Sequence, residues 1–274
     1  MARTLGLVGG AGALPAVMAR EARREGWRVV AFALGEPASL AADADRVVPC
    51  RLGDVGAILD VLAAEAIRHV VLAGTVRKDG LFREPALALD AAARALLDGS
   101  PDWSDEALLR TASAALDRLG IELLDQRRFL GPWLAPGGAA AGPAPEPRVT
   151  ADIARGVALA RELAAHGIGQ TVVLRAGSVA AVEAMEGTDE AIRRGLALAG
   201  PGAVVVKAAA PAHDYRFDVP AVGVATVGLC AEGRAAALAV EAGRVLLLDR
   251  AQVGALAEQA GLSVVGIVGS EPAG

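Results

Sequence analysis

Apolar and polar positions follow two repeating patterns along the chain. Short apolar runs are separated by stretches in which apolar residues recur every three or four positions. The first pattern predicts buried β-strands and the second predicts amphipathic helices. Strands that alternate with helices of this length predict βαβ units and a parallel sheet. In the first half the predicted strands are Leu5–Val8, Val29–Leu34, Val47–Val48 and Val70–Leu72, and the predicted helices are Ala13–Glu25, Val55–Ala66, Pro85–Leu97 and Asp105–Leu119.

A stretch rich in Pro, Gly and Ala, GPWLAPGGAAAGPAPEP at 131–147, interrupts both patterns and predicts a linker. We therefore expect an α/β protein with a Rossmann-like parallel-sheet domain at 1–132, a linker at 133–148 and a second α/β domain at 149–274. A hairpin is expected about Ala242–Gly243. The second domain's predicted elements are helices Ala151–Ala165, Asp189–Ala199 and Ala251–Ala260, and strands Thr171–Leu174, Ala203–Lys207, Ala236–Glu241, Val245–Leu248 and Ser263–Val268.

Composition narrows the class of protein. No run reaches the roughly 18 uninterrupted apolar residues that a membrane-spanning helix needs, and the N-terminus lacks the pattern of a signal peptide, so we expect a cytoplasmic protein. The net charge of −5 provides no general basic field for nucleic acid or an anionic bilayer. Two cysteines and three histidines are scattered without the close pairs of a structural zinc site.

A glycine turn, Gly9-Gly10-Ala11-Gly12, follows the first strand and precedes the first helix. Backbone N–H groups and a helix N-terminus at such a turn can bind phosphate. The alternative is a structural tight turn. Binding of NAD is disfavoured because Pro15 stands where the third glycine of the dinucleotide motif would fall, and the second strand lacks an acidic end.

Two further motifs follow predicted strands. Gly74-Thr75-Val76-Arg77-Lys78 places a hydroxyl and two cations at a carboxyl end, where open parallel sheets bind ligands, so Thr75 and Arg77 are candidates for contact with a diphosphate. A solvated loop is the alternative. Glu186-Gly187-Thr188-Asp189 precedes a predicted helix, and Thr188 or Asp189 could either bind substrate or cap that helix.

The densest group of ionisable residues lies in VVVKAAAPAHDYRFDVP. Lys207 ends an apolar strand, and Asp214, Arg216 and Asp218 follow at a spacing that would project all three to one face of an extended segment. Carboxylates can orient water or bind Mg²⁺, and cations can stabilise charge that develops on a phosphoryl group. A surface ion-pair cluster is the alternative.

The chain resembles the UDP-2,3-diacylglucosamine pyrophosphatases of lipid A biosynthesis of the LpxI type, which are unrelated to the calcineurin-like enzymes for the same step. The similarity extends from LGLVGGAGALP through GTVRK and SDEALLRTASAALDRLGIELLDQRRFLGPWLAP to VEAMEGTDEAIRR, RFDVPAVG, VEAGRVLLLDR and AGLSVVGI. The separations of EGTD, RFDVP and VEAGRVLLLDR carry its specificity. There are two departures. Before RFD, Ala210 and His213 stand where the family usually has lysine and glutamine, and Arg77 is followed by Lys78 where the family tends to have proline.

The resemblance implies a Mg²⁺-dependent hydrolase that splits UDP-2,3-diacylglucosamine into UMP and 2,3-diacylglucosamine 1-phosphate (lipid X). The N-terminal domain would bind the uridine diphosphate and the C-terminal domain the acylated sugar, with the substrate between them. Asp218 matches the essential aspartate and is expected to bind the metal, with Asp214, Arg216 and Lys207 as catalytic neighbours. The residues expected to bind substrate are Gly9, Gly10, Gly12, Thr75, Arg77, Glu186, Gly187, Thr188 and Asp189.

Partners and rival functions complete the expectations. We expect a glycolipid-nucleotide substrate, peripheral contact with the inner membrane, a homodimer and no nucleic acid. One rival is a non-catalytic nucleotide-sugar or glycolipid binding protein of the same fold, which the Ala210 and His213 departures motivate. The other is a dinucleotide-dependent oxidoreductase, which the glycine turn suggests and Pro15 disfavours.

Overall fold

The structure, a computed structural model, describes residues 3–76, 89–102 and 104–269. The chain forms two compact units. The first unit comprises the described residues up to Leu130 together with Asp214–Asp218, and the second comprises Gly131–His213 and the described residues from Val219 onward. The predicted division into two α/β domains is confirmed, but five residues from the later half of the sequence belong to the first unit.

The first unit contains a five-stranded parallel sheet. Its strand order is β3-β2-β1-β4-β5, which matches the first five positions of the doubly wound order 3-2-1-4-5-6. The order reverses between β1 and β4, where open sheets of this kind form a ligand-binding crevice beyond the carboxyl ends of their strands. The strands are β1 Thr4–Gly9, β2 Arg28–Ala33, β3 Arg46–Pro49, β4 His69–Ala73 and β5 Glu122–Leu123.

Helices of the first unit follow the predicted apolar periodicity. In α1, Met18, Ala19 and Ala22 are fully buried, so one face of the helix packs on the unit. The Ser104 hydroxyl accepts a hydrogen bond from the Ala107 N–H at 3.3 Å and so caps α4, as its sequence predicts. The helices are α1 Leu14–Arg24, α2 Val55–Ala64, α3 Ala91–Asp98, α4 Asp105–Arg118 and α5 Arg127–Leu130, with a 3₁₀ turn at Pro37–Leu40.

The second unit is built on a six-stranded mixed sheet of order β6-β13-β11-β9-β7-β8. Strands β9, β11 and β13 are parallel neighbours, whereas β7 is antiparallel to both β8 and β9. The carboxyl ends of β8, β9, β11 and β13 therefore share one edge of the sheet. The strands are β6 Gly138–Ala141, β7 Thr171–Arg175, β8 Ser178–Val182, β9 Val204–Lys207, β11 Ala237–Glu241 and β13 Ser263–Ile267, and a separate parallel pair is formed by β10 Ala221–Val222 and β12 Leu246–Leu247.

Each face of this sheet has its own core because alternate strand residues point to opposite sides. Val173 and Val205 pack with α7, α8 and α9 on one face, whereas Val172 and Val206 pack with α6 on the other. No helix among the described residues combines the length and apolar character needed to cross a bilayer. The helices are α6 Pro147–Ala165, α7 Thr188–Ala199, α8 Val224–Glu232 and α9 Arg250–Ala260, preceded by a 3₁₀ turn at Gly131–Trp133.

The segment predicted as a linker, 133–148, is folded into the second unit. Gly138–Ala141 forms an edge strand antiparallel to β13, and the Ala135 N–H donates to the Val245 carbonyl at 2.8 Å. Strand pairing uses backbone groups, so a stretch of Gly and Ala with little side-chain signal can still join a sheet edge. The prediction of a linker at 133–148 is therefore wrong, because the low side-chain signal hid a strand.

The predicted hairpin about Ala242–Gly243 is also wrong. Strand β11 is already flanked by β9 and β13, so both of its hydrogen-bonding edges are occupied. The following strand, β12, pairs with β10 instead. Two apolar runs separated by Ala-Gly-Arg are thus adjacent in sequence without being paired in the sheet.

Candidate active site

The glycine turn of the first unit packs tightly against the chain that follows β4. The Gly10 N–H donates to the Ala73 carbonyl and the Ala11 N–H donates to the Thr75 carbonyl, each at 2.8 Å. A Cβ on Gly10 would lie 2.4 Å from the Thr75 carbonyl oxygen, so no larger residue fits. The structure therefore joins two predicted substrate-binding elements, and it gives Gly10 a structural explanation.

The end of this turn remains accessible. Gly12 is exposed and has a φ of +96°, a conformation that favours glycine. Ala13, the N-cap of α1, offers no side-chain cap. The Leu14 and Ala16 N–H groups of the first turn of α1 therefore have no cap from the N-cap side chain, and Pro15 has no N–H. The helix begins just beyond the carboxyl end of β1, which suits an anionic group. Thr75 is also exposed, and Arg77 lies outside the described residues.

The segment Asp214–Asp218 is anchored in the first unit by its two aromatic residues. Tyr215 is 5% exposed, its carbonyl accepts from the Gln126 N–H at 3.0 Å, and the Arg127 guanidinium lies 3.7 Å from its ring centroid. Phe217 packs against the core of the same unit. These contacts, together with the location of the segment in the first unit, correct the prediction that the catalytic loop belongs to the second domain.

Replacing Tyr215 by Ala is expected to lower the free energy of unfolding by roughly 3 kcal/mol, because a buried ring and its stacked arginine are lost. Replacing it by Phe keeps the ring and should cost about 1 kcal/mol or less. Urea unfolding of both variants measures the difference. Equal stabilities for the two variants would contradict the anchoring role.

The shape of this segment differs from the extended conformation that the sequence spacing suggested. The Phe217 N–H donates to the Asp214 carbonyl at 3.1 Å, which closes a turn. Arg216 donates hydrogen bonds to the Asp214 carboxylate, from Nε to Oδ1 at 3.0 Å and from Nη2 to Oδ2 at 2.7 Å. Hydrogen bonding from Arg216 holds the pKa of the Asp214 carboxyl below its usual range. Asp214 therefore orients Arg216, whereas Asp218 is exposed at the end of the segment.

Lys207 lies at the carboxyl end of β9 in the second unit and is 6% exposed. Its Nζ donates to the Thr188 Oγ1 at 2.7 Å, and that hydroxyl donates to the Glu183 Oε1 at 2.8 Å. The Gln170 N–H donates to the other carboxylate oxygen of Glu183 at 3.3 Å. The structure thus brings together Lys207 and Thr188, two predicted site residues that are 19 positions apart in the sequence.

The polar groups around Lys207 are incompletely paired. Within the described part of the chain, Nζ forms this one hydrogen bond although an ammonium carries three donors. Thr171 pairs with Lys207 in the sheet register and so lies on the same face, and its buried Oγ1 has no hydrogen-bond partner in the described structure. Buried polar groups are normally satisfied. The arrangement therefore has donors available for an oxygen-rich ligand.

Lysine is an unusual choice in this chain. Of its 27 basic residues, Lys78 and Lys207 are lysines and the others are arginines. An ammonium is a compact charge with rotatable donors, whereas a guanidinium is a planar fork. The rarity of lysine and the burial of Lys207 both point to a specific role for its amine.

The four residues of the EGTD element have different surroundings. Gly187, with a φ of +84°, is the N-cap of α7, and it provides no side-chain cap. Thr188 contacts Lys207 and does not cap the helix, which favours the functional interpretation for that residue. Glu186 is exposed and pairs with Arg194, and its backbone N–H and then Arg194 hold the pKa of its carboxyl below the usual range. Asp189 is exposed in the first turn.

Each of the two units matches a known family of protein domains. Residues 4–133 match the LpxI N-terminal domain, and residues 136–265 match the LpxI C-terminal domain. The chain belongs to the LpxI family. A curated member from Caulobacter vibrioides (strain ATCC 19089 / CIP 103742 / CB 15), UDP-2,3-diacylglucosamine pyrophosphatase LpxI, is 33% identical over 276 residues, which cover 97% of this chain and 98% of the relative.

Solved structures give little beyond this assignment to the LpxI family. A glycinamide-RNase-transformylase T from Mycobacterium tuberculosis is 20% identical, and the match covers 65% of this chain and 43% of that chain with a TM-score of 0.25. An N5-carboxyaminoimidazole synthetase from Staphylococcus aureus is 15% identical, with 67% and 41% covered and a TM-score of 0.27. This chain spans less than half the length of either protein. Similarity at this level carries no functional argument.

The side chains that could bind a metal do not form a site in which the protein supplies all the ligands. Among the described residues of this LpxI family member, no group of three or more His, Cys, Asp or Glu side chains could hold an ion. Mg²⁺ commonly binds through one or two carboxylates, substrate phosphates and water. Asp218 is an exposed carboxylate of the kind that this mode uses. Asp214 binds Arg216 with both of its oxygens.

Sequence reasoning missed Glu183 and Thr171. Both lie at the edge of the sheet that carries Lys207, and Glu183 follows an apolar strand as Lys207 does. A polar residue directly after a strand of mainly small apolar residues was the available signal for Glu183. Thr171 opens its strand and resembles any β-branched strand residue, so no sequence pattern distinguishes it.

Proposed function

We propose that this protein hydrolyses the pyrophosphate bond of UDP-2,3-diacylglucosamine to give UMP and 2,3-diacylglucosamine 1-phosphate. Membership of the LpxI family over both units supports the proposal, as does the activity named for the relative that is 33% identical. The observation that carries it is the buried Lys207 ammonium, which keeps donors available beside Thr188.

In the second unit, Lys207 would donate hydrogen bonds to phosphate oxygens of the substrate. Charge-assisted hydrogen bonds from a buried cation strengthen as negative charge develops on those oxygens. Thr188 and Glu183 fix the direction of the ammonium, because the hydroxyl that donates to Glu183 can only accept from Lys207. Thr171 adds a hydroxyl on the same face of the sheet. Gly187 and Asp189 would border the bound sugar phosphate.

In the first unit, the N-terminus of α1 at Gly12 and the exposed Thr75 would bind the uridine diphosphate, with Arg77 as a further cation. Asp218 would orient the attacking water and, with phosphate oxygens, hold Mg²⁺. Arg216, oriented by Asp214, would neutralise phosphate charge. A bound Mg²⁺ would supply charge neutralisation at the phosphoryl group.

The bond changes are those that the resemblance to the LpxI family implies, with water attacking the β-phosphorus. The oxygen of water forms a bond to the β-phosphorus, the bond from that phosphorus to the bridging oxygen breaks, and UMP leaves. A proton from the water passes to solvent. Water attack at the β-phosphorus implies that the new oxygen atom ends in the sugar phosphate rather than in UMP.

The test is UMP release from UDP-2,3-diacylglucosamine with Mg²⁺ in water enriched in ¹⁸O. We expect turnover that EDTA abolishes, with the label in 2,3-diacylglucosamine 1-phosphate. Label in UMP would refute attack at the β-phosphorus. Binding of the substrate without UMP release would support the rival function, a binding protein of the same fold.

A further inference from the structure

A buried charge cluster in the second unit lies outside the proposed reaction site. Glu241 ends β11, is 1% exposed, and lies next to β9, where Val240 pairs with Lys207. One carboxylate oxygen, Oε1, accepts from Arg161 at 3.1 and 2.6 Å and from Arg244 at 3.0 Å. Residues alternate along a strand, so Glu241 points to the α6 face and Lys207 to the α7 face.

The same cluster holds the backbone that follows Lys207. The other oxygen of Glu241, Oε2, accepts from the Ala209 N–H at 3.0 Å. Arg244 Nη2 donates to the Ala210 carbonyl and, at 3.1 Å, to the Pro211 carbonyl. Three successive residues of the chain are therefore bound by one carboxylate and one guanidinium.

This backbone has few other means of holding its position. The Ala208 N–H donates to the Gln170 carbonyl at 3.0 Å, beyond which the chain leaves the sheet, and the His213 N–H donates to the Ala210 carbonyl at 3.1 Å. Ala209 and Ala210 have only methyl side chains, and Pro211 is exposed. Burying a carboxylate with two arginines often stabilises a fold no better than apolar residues would. The burial of this cluster is better explained by the backbone segment that it holds in place.

We infer that Glu241 and Arg244 are positioning residues for the proposed hydrolysis. They fix Ala209–Pro211 and thereby set both the end of β9, where Lys207 lies, and the start of the chain that leads to Asp214. The inference rests on the proposed function for its kinetic consequence, and on the hydrogen bonds of the second unit for its structural one.

Arg161 and Arg244 provide a matched pair of variants. Both bind the same oxygen of Glu241, and their side chains are similarly exposed, at 21% and 27%. The side-chain hydrogen bonds to the Ala210 and Pro211 carbonyls, among the described residues, come from Arg244. R161M therefore removes one positive charge from the cluster. R244M removes one positive charge and also the hydrogen bonds to the backbone carbonyls.

The first measurement is hydrogen exchange in the full chain. We expect R244M to speed amide exchange across 208–213 about tenfold, which corresponds to the loss of a hydrogen bond to a charged group. R161M should leave exchange there within about twofold of wild type. Equal exchange in R161M and R244M, or wild-type exchange in R244M, would overturn the inference.

The second measurement is steady-state UMP release. We expect R244M to lower kcat on the order of 10- to 100-fold with KM changed by less than about threefold, because the groups at the reacting phosphate are displaced while the other substrate contacts remain. R161M should retain most of kcat. R244K keeps a positive charge beside Glu241 but lacks the guanidinium that also binds the backbone carbonyls. It therefore tests the positioning role if R244M fails to fold. An R244K enzyme with wild-type kcat would overturn the inference.

The two proposals fail in distinguishable ways. A wild-type protein that releases no UMP removes the proposed function, and the exchange comparison still decides whether Arg244 holds the segment. A wild-type protein with full turnover and an R244M variant with the same kcat removes the positioning role alone.

Discussion

Replacing Lys207 by Met is expected to lower kcat for UMP release on the order of 100- to 1,000-fold. The variant removes a cation that is 6% exposed and whose donors are only partly used by Thr188. Loss of one charge-stabilising donor at a desolvated site typically costs this much in turnover. Met has a similar length and no charge to bury, so the fold should persist. Initial-rate kinetics with thermal unfolding as a folding check measures both effects.

Two further variants make this prediction specific. Lys207→Arg keeps the charge but replaces a compact ammonium with a planar fork, so we expect less than about 10% of wild-type kcat. Asp152→Asn is the control, since Asp152 is also buried in the second unit and accepts hydrogen bonds at 2.7 Å from the backbone N–H groups of Ala176 and Gly177. It should reduce stability more than turnover. A Lys207→Met enzyme with wild-type kcat would refute the assignment.

The fold was predictable where periodicity carries the information. Most strands and helices of both units lie within a few residues of their expected positions, because buried faces impose their periods on the sequence. Gly138–Ala141 was missed because pairing at a sheet edge needs only backbone groups. The partner of β12 was missed because sequence adjacency favours a hairpin, whereas the pairing depends on which edges of β11 are already occupied.

The location of Asp214–Asp218 was the largest difference from expectation. A sequence read in order assigns these residues to the second domain, and no local period shows that the chain returns to the first unit. A signal existed, since Tyr215 and Phe217 stand two residues apart in a chain with 3% aromatic residues. Exposed ion-pair loops have little use for two large rings. The spacing of the two rings indicates an anchor with Arg216 between them.

The candidate site was also predictable only in part. Lys207 was identifiable because a lone charge at the end of an apolar strand demands an explanation. Its partners were not, since Thr188 could equally have capped α7, and only the coordinates show its hydroxyl bound to Lys207 and Glu183. Contacts between side chains that are distant in sequence depend on register and helix placement, which one sequence does not encode in any local pattern.

Replacing Asp218 by Asn is expected to lower kcat at least roughly 100-fold and to abolish the response of the rate to Mg²⁺. Asn keeps the size of the side chain, but it is a weaker ligand for a hard cation and a poorer acceptor for a water proton. Tyr215 and Phe217 still anchor the segment in the variant, so substrate affinity should change by only a few-fold. Mg²⁺ titrations of the initial rate, with equilibrium binding of the substrate, separate these effects.

Asp214→Asn is the matched comparison, because Asp214 lies in the same segment but binds Arg216 with both oxygens. Losing that carboxylate releases Arg216, which should raise KM more than it lowers kcat and leave the Mg²⁺ response intact. If Asp218→Asn retains wild-type kcat and a wild-type Mg²⁺ titration, Asp218 neither orients the water nor holds the ion. If instead both variants lose the Mg²⁺ response equally, the two carboxylates act as one group, and the separation of orienting and reacting roles between them is wrong.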